Sequence, residues 1–549
     1  MTPEQPRPRP AGQQRFPRPP EAFSRDRQQE AIAPKFDRLA QSLARDPAGL
    51  ELRGDPSALA PERLLVFEVR GSVANFARAV QRVRGLELID EEELGSDEDK
   101  EPIAYLLLPD VRALAELLSL WRRWNDDRLQ VGETPWRGVF ELLRDLRPWG
   151  PEDRVQPLDA NLLAEEIEGK GDDELVAVEI ELIFRGSEAK AEVQEAEVRA
   201  AIIAHEGQVV SRARLPEIAY HALLVDLPVR AIRVIIERSE RSVAGLDPVM
   251  HIRPQSMATS IEIDDATQTG VPGEIGELRT PILALLDGVP VAAHPLLARH
   301  LVVDDQFGLE DHVPVDQRIH GTAMASLIVH GDRNSPEPML PRQVHIVPVL
   351  GGEDRFPARR LVVDIIYLAV RAMREGNDAT APGVLIVNLS LGNARRPFQF
   401  ALSAWARLLD RLAYQYGILF VVSAGNVREA FGIPAFASSI AFEDADAEAR
   451  CDGTLAAIGN VVADRRMFSP SETINGVTIG ASNDDRVSAA HRRAARAIID
   501  PFPVIRASNP SSGLGPGFAR SVKPDILMPG GREHLRQVNT NAHMSYPGR

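Results

Sequence analysis

A single cysteine, Cys451, stands in a chain of 549 residues. One thiol cannot close a disulfide within the chain, so no covalent staple is available and a reducing, cytoplasmic compartment is expected. Aromatic side chains are scarce, at 5%. No run of about 18 apolar residues occurs, so no membrane-spanning helix is expected. Cations are outnumbered: 63 Lys and Arg stand against 79 Asp and Glu, a net charge of −16. Phosphate backbones are bound by clustered cations, so nucleic acid is not an expected partner. The stretch from Met1 to Pro20 mixes proline and arginine and lacks the apolar centre of a secretory leader.

What is present is enough for a large core. Hydrophobic residues make up 44% of the chain, and the length suits about three or four domains. Residues 1–25, rich in proline and arginine, read as an extended tail. Residues 26–150 read as an α+β domain. Within it, a strand starts at Leu64, Ser72 caps a helix carrying Val73, Phe76, Ala77 and Val80, and Leu86–Ile89 and Ile103–Leu108 are further strands. Between them the acidic run from Asp90 to Glu101 reads as a solvated loop. Asp110 caps a helix with Val111, Leu114, Leu118 and Trp121 on one face. Residues 125–174 read as mixed helix and loop.

Residues 175–260 give a clearer pattern. Val176, Val178, Ile180, Leu182 and Phe184 alternate with more polar neighbours, which predicts a half-buried strand. Helix, two strands, helix and strand follow, the β-α-β-β-α-β order of a ferredoxin-like plait. The first domain fits the same order less fully, so one or two such plaits are expected.

From Thr280 the pattern changes. Apolar strands at Ile282–Leu286, Val344–Leu350, Val384–Leu389 and Ile418–Ser423 alternate with helices. One helix carries Val362, Ile365, Ile366, Ala369 and Met373 on a single face; another carries Leu402, Trp405, Ala406, Leu409 and Ala413. Continuous apolar strands between amphipathic helices predict an α/β fold with a mostly parallel sheet covered on both faces. Functional groups in such folds gather at the carboxyl ends of strands. Asp287, the Ser390-Leu391-Gly392 segment and Asn426 of Ser423-Ala424-Gly425-Asn426 lie at such ends, while His320-Gly321-Thr322 opens a helical segment.

Asp, then His-Gly-Thr, then Ser-Ala-Gly-Asn, in that order, resembles the subtilisin-like serine peptidases, or subtilases. Ile474–Ala481, Ser511–Gly517 and Lys523–Gly530 extend the resemblance over roughly residues 280–531. The family usually has Asp-Ser-Gly or Asp-Thr-Gly where this chain has Asp287-Gly288. The resemblance implies a subtilisin-like domain over residues 275–549. In it Asp287 orients His320, His320 is the general base, and the Asn426 side chain serves the oxyanion hole. It also implies that Ser390, Leu391 and Gly392 pair with an extended peptide, Gly392 leaving room for a side chain. Ser423, Ala424 and Gly425 would form the opposite wall. A plait ahead of the domain resembles the subtilase pro-region, which would make residues 175–260 a chaperone and inhibitor; a permanent interaction or scaffold domain is the other reading.

The resemblance stops after Gly531. The family's Gly-Thr-Ser nucleophile motif does not follow; Ser545 is the serine in that stretch and lacks its flanking glycine and following helix. The chain therefore reads as C-terminally incomplete, with apolar sheet surface left uncovered. Two functions follow: a serine endopeptidase acting through an acyl-enzyme, or an inactive subtilase-like protein that binds peptides or a regulatory partner through its N-terminal domains. No resident cofactor is required. Calcium is allowed by the family resemblance, with Asp304, Asp305, Glu310 and Asp311 as an acidic loop that otherwise is simply solvated. No metal is assigned.

Overall fold

The computed structural model describes residues 21–45, 63–70, 76–93, 102–255, 276–332, 338–393, 396–398, 401–427, 429–484, 498–502, 506–532 and 535–536. Most of the N-terminal tail, Ser72, Val73, the acidic residues past Glu93, and Ser545 lie outside the described residues. The chain divides into two compact units, residues 1–150 and residues 151–549.

In the first unit, α1 (Arg25–Ala31) and α2 (Ala33–Arg45) precede β1 (Leu65–Arg70), α3 (Phe76–Gln81), β2 (Leu86–Glu93), β3 (Pro102–Pro109), α4 (Val111–Asn125), α5 (Thr134–Leu142) and β4 (Leu143–Pro148). The sheet runs β2-β3-β1-β4 with every pair antiparallel, the ferredoxin-like arrangement. Asp110 caps α4 by accepting from the Ala113 N–H at 2.8 Å. Leu114, Leu118 and Trp121 are buried, whereas Val111 is exposed. Phe36 of α2 stacks on Trp121 with ring centroids 4.3 Å apart. Two expectations change. Asp90–Glu93 continue β2 opposite Leu106–Ile103 instead of forming a loop. Residues 143–148, read as helix or loop, are the edge strand β4.

The second unit opens with α6 (Pro151–Arg154) and α7 (Pro157–Glu166), followed by β5 (Leu175–Leu182), α8 (Glu188–Ala204), β6 (Gln208–Leu215), β7 (Tyr220–Pro228), α9 (Val229–Ile236) and β8 (Val249–Pro254). Their sheet order, β6-β7-β5-β8, again all antiparallel, is a second plait. It begins earlier than residue 175, because the buried Arg154 guanidinium donates to the carbonyls of Ala244 at 2.8 Å and Val249 at 3.0 Å.

A seven-stranded parallel sheet completes this unit. Its strands are β9 (Leu283–Gly288), β10 (Leu301–Val303), β11 (Val344–Leu350), β12 (Ile386–Leu389), β13 (Leu419–Ser423), β14 (Val477–Ser482) and, after the two-residue β15 (Ile498–Ile499), β16 (Ile526–Pro529). The order is β10-β11-β9-β12-β13-β14-β16. The short β17 (Leu535–Arg536) pairs with β15. Side chains alternate across a strand, so each strand serves two cores. Leu285 and Ile346 pack with Ala325 and Val329 of α10 (Ile319–His330). Ala284, Leu286 and Val347 pack on the other face with α11 (Val362–Arg374) and α12 (Ala404–Tyr416). This two-sided burial is why the strands read as unbroken apolar runs.

The plait lies against the outer side of α11 and α12. Leu215, Ile218, Tyr220 and Leu224 share one core with Val362, Ile365, Trp405 and Leu408. Arg407 of α12 donates to the Ile218 carbonyl at 3.1 Å and pairs with Glu181 at 3.3 Å. Arg396 pairs with Asp159 at 2.6 Å. The half-buried reading of β5 is therefore corrected: Glu179 and Glu181 are only 8% and 5% exposed, because their face of the sheet meets the helices instead of solvent. Among the described residues no helix is long and apolar enough to cross a membrane.

Candidate active site

The strand order sets the site. β9, β12 and β13 are neighbours, and parallel strands bring their carboxyl ends side by side, roughly 5 Å apart. Asp287 ends β9, Ser390 follows β12, and Asn426 follows β13.

Asp287 is fully buried, and His320, at the second position of α10, is 2% exposed. Asp287 Oδ1 accepts from the Gly288 N–H at 2.7 Å and from His320 Nδ1 at 2.5 Å. A carboxylate only accepts, so this bond places the ring proton on Nδ1 and leaves Nε2 as the nitrogen that can take another. Burial pulls the imidazole toward neutrality. The hydrogen bond and charge of Asp287, with a further contribution from Asp354, outweigh burial and hold the His320 pKa above its ordinary value.

The approach of α10 to β9 depends on a glycine. A Cβ on Gly321 would lie 2.1 Å from the Gly288 carbonyl oxygen. The close backbone neighbour of Gly321 is thus the end of β9. Thr322 fixes the same junction, its hydroxyl accepting from the Val291 N–H at 2.8 Å and donating to the Arg318 carbonyl.

The two proposed walls lie at the ends of β12 and β13. Ser390 Oγ accepts from the Asn388 side-chain amide at 2.9 Å, and Leu391 is buried in the main core. Ser423 Oγ accepts from the Gly425 N–H at 3.1 Å. Ala424 is buried beside Phe398 and Met467. Gly425 has φ +92°, a conformation that suits glycine. Asn426 is exposed, and its backbone bridges to Ser512. On either side of it, Val427 N–H donates to the Ser511 carbonyl at 2.8 Å and Gly513 N–H to the Gly425 carbonyl at 3.0 Å.

Two residues escaped the sequence reading. Arg465 is 2% exposed; it donates to the carbonyls of Glu429 at 2.8 Å, Val427 at 3.3 Å and Pro510. It therefore pins the chain after Asn426 to the segment before Ser511. Phe468 is 6% exposed and lies against Gly392 and Gly425 together. Neither residue falls in a recognisable motif, and both are far from Asn426 in sequence, so no local signal marks them.

The later motifs tie β16 to β14. Lys523 Nζ reaches Asp525 at 2.6 Å and Thr478 Oγ1 at 3.1 Å, and Asp525 accepts from the Thr478 N–H at 2.7 Å. Ile526, Leu527 and Met528 are exposed. The acidic loop has other occupations. Both Asp305 oxygens accept backbone N–H groups, of Leu309 and Glu310, and Asp304 lies by Gln306 and His345. Among the described residues no group of three or more His, Cys, Asp or Glu is placed to hold a metal ion. Ser545 lies outside the described residues, and among those described no serine hydroxyl is bonded to His320.

A sequence model of the subtilase family matches residues 279–548, running past Gly531, where the motifs stop. An uncharacterised protein of Sinorhizobium fredii is 29% identical over 153 residues, 27% of this chain and 31% of that protein, so the chain matches about a third of its relative's length. Taken with the parallel sheet and the Asp287–His320 pair, the match is decisive: residues 279–548 of this chain belong to the subtilase family.

Proposed function

We propose that this domain is a serine-type endopeptidase centre acting on extended peptides. The observation that carries the proposal is the buried hydrogen bond from His320 Nδ1 to Asp287. With Nδ1 so held, Nε2 is the general base that takes the proton of an attacking serine hydroxyl and later returns it to the leaving amine. Asp287 fixes the tautomer and stabilises the imidazolium. The Asn426 side-chain amide, exposed at the end of β13, donates to the oxygen that becomes negative in the tetrahedral intermediate. Ser390–Gly392 and Ser423–Gly425 flank the bound peptide, giving affinity through backbone pairing. No step uses a metal.

The second plait fits the role of a docked chaperone and inhibitor. Its support is the shared core with α11 and α12 and the Arg407–Glu181 pair. The test is labelling of the 549-residue chain with a fluorophosphonate probe, followed by peptide mapping. A labelled serine, lost in His320→Ala, supports the acyl-enzyme route and identifies the nucleophile. A folded chain that takes no label overturns the peptidase reading.

A further inference from the structure

The room between the two walls is already filled. Gly392, on the β12 side, would place a Cβ 3.3 Å from Phe468 Cβ. Gly425, on the β13 side, would place one 2.4 Å from Phe468 Cδ2 and 2.7 Å from its Cγ. The ring fills the space at Gly425, and the same side chain lies against Gly392 through its Cβ, with Cδ2 4.0 Å from the added carbon. Its backbone is fixed from both sides as well. Phe468 N–H donates to the Ala424 carbonyl at 3.1 Å, and the next residue, Ser469, accepts from the Asn393 N–H at 3.0 Å. Met467, just before it, is buried with Ala424 and Phe398. With its backbone held and its side chain buried, moving the ring would give up packing that the interior does not readily replace.

We propose that Phe468 is the specificity-determining residue of the site, closing the pocket between Gly392 and Gly425 to all but small side chains. This rests on the peptidase reading of Asp287 and His320. The peptide residue whose carbonyl is attacked would be glycine, alanine or serine. A leucine or phenylalanine there would have to displace a buried aromatic ring. The sequence reading leaves room beside Gly392 for a substrate side chain; the folded chain puts Phe468 there.

The test needs a probe that fixes its last side chain in the pocket and reports at His320. Peptidyl chloromethyl ketones do this: the imidazole nitrogen displaces chloride from the methylene carbon, a carbon–nitrogen bond forms, and the ring proton passes to solvent. The full chain would be treated with two reagents that differ only in ending in alanine or phenylalanine, and His320 alkylation followed by mass spectrometry. The expected rate favours alanine by about ten-fold or more, since misfit of one or a few methylenes carries discrimination of that order. Phe468→Ala should abolish or reverse the preference. Phe468→Leu, which keeps an apolar side chain in the core, should reduce it and guards against loss of folding. Equal rates with both reagents, or a ratio unchanged in both variants, overturn the inference and leave the peptidase reading intact. Labelling by neither reagent overturns that reading, and the inference falls with it.

Discussion

His320 Nδ1 lies 2.5 Å from Asp287 Oδ1, and neither side chain has meaningful contact with solvent. Burial alone would lower the imidazole pKa, yet it is raised, so the carboxylate supplies the larger share. A raised folded value means that the bond stabilises the fold fully below the ordinary histidine pKa of about 6.5, and that this contribution is lost as pH rises through the folded value. Replacing Asp287 by Asn removes the charge and leaves burial in control. The His320 pKa should then drop by about one unit or more. Proton NMR of the ring resonances across pH 4–9 reads it directly. An unchanged titration would remove Asp287 from the role of orienting partner.

The same junction predicts a stability effect away from the chemistry. Gly321→Ala puts a methyl group where the Gly288 carbonyl oxygen already stands. Neither backbone can give way without moving α10 or β9, so the change should cost about 2–3 kcal/mol, the upper range for overpacking. Chemical denaturation at constant pH measures it. A loss under about 0.5 kcal/mol, the size of an ordinary surface substitution, would mean that the two glycines do not set the crossing.

Much of this arrangement is legible in the sequence because the central strands β9, β11 and β13 are largely apolar runs and the Asp287 and Asn426 motifs lie at or just past strand ends, with His320 opening a helix. What is not legible follows from packing between distant elements. β4 reads poorly because Leu143 and Leu146 are three apart, a helical spacing. The register shift between Glu68 and Val69 skips Arg144, so both leucines fall on the core side of one strand. β5 reads as half-buried because Glu179 and Glu181 look like solvent-facing residues; their partners, Arg253 and Arg407, are on other elements. Phe468 belongs to no motif, and only the folded chain brings it to Gly392 and Gly425.

Docking of the second plait through Trp405 is testable by truncation. Trp405 is 4% exposed, meets Phe356 edge-on with centroids 5.6 Å apart, and shares a core with Ile218 and Tyr220 of the plait. Trp405→Ala should cost about 3–5 kcal/mol. Hydrogen exchange should rise in β6 and β7 as well as in α12. Faster exchange confined to α12 would show that the plait does not depend on this contact.

Acid should loosen that interface, and the sign follows from two buried groups. Glu181, beside Arg253 and Arg407, is desolvated, yet those cations hold its pKa down to about 2. A depressed carboxyl stabilises above its ordinary value near 4.5, and this is lost as pH falls toward 2. His251 is pushed down to about 3, first by burial and then by Arg253, with Glu181 opposing. Its neutral form is compatible with the fold, so its contribution is full above about 6.5 and is lost as pH falls below that. Glu179, raised by burial, runs the other way as it gains a proton; Arg396 and Asp159 complete the charged surroundings, and Tyr220, raised by burial, stays neutral beside them. Comparing wild type with His251→Gln cancels the Glu179 contribution, which both share. Between pH 6.5 and 4.5 wild type should lose on the order of 2 kcal/mol more than the variant. Parallel denaturation curves at the two pH values decide it, and equal losses would mean that His251 is charged in the folded chain or already released from the interface.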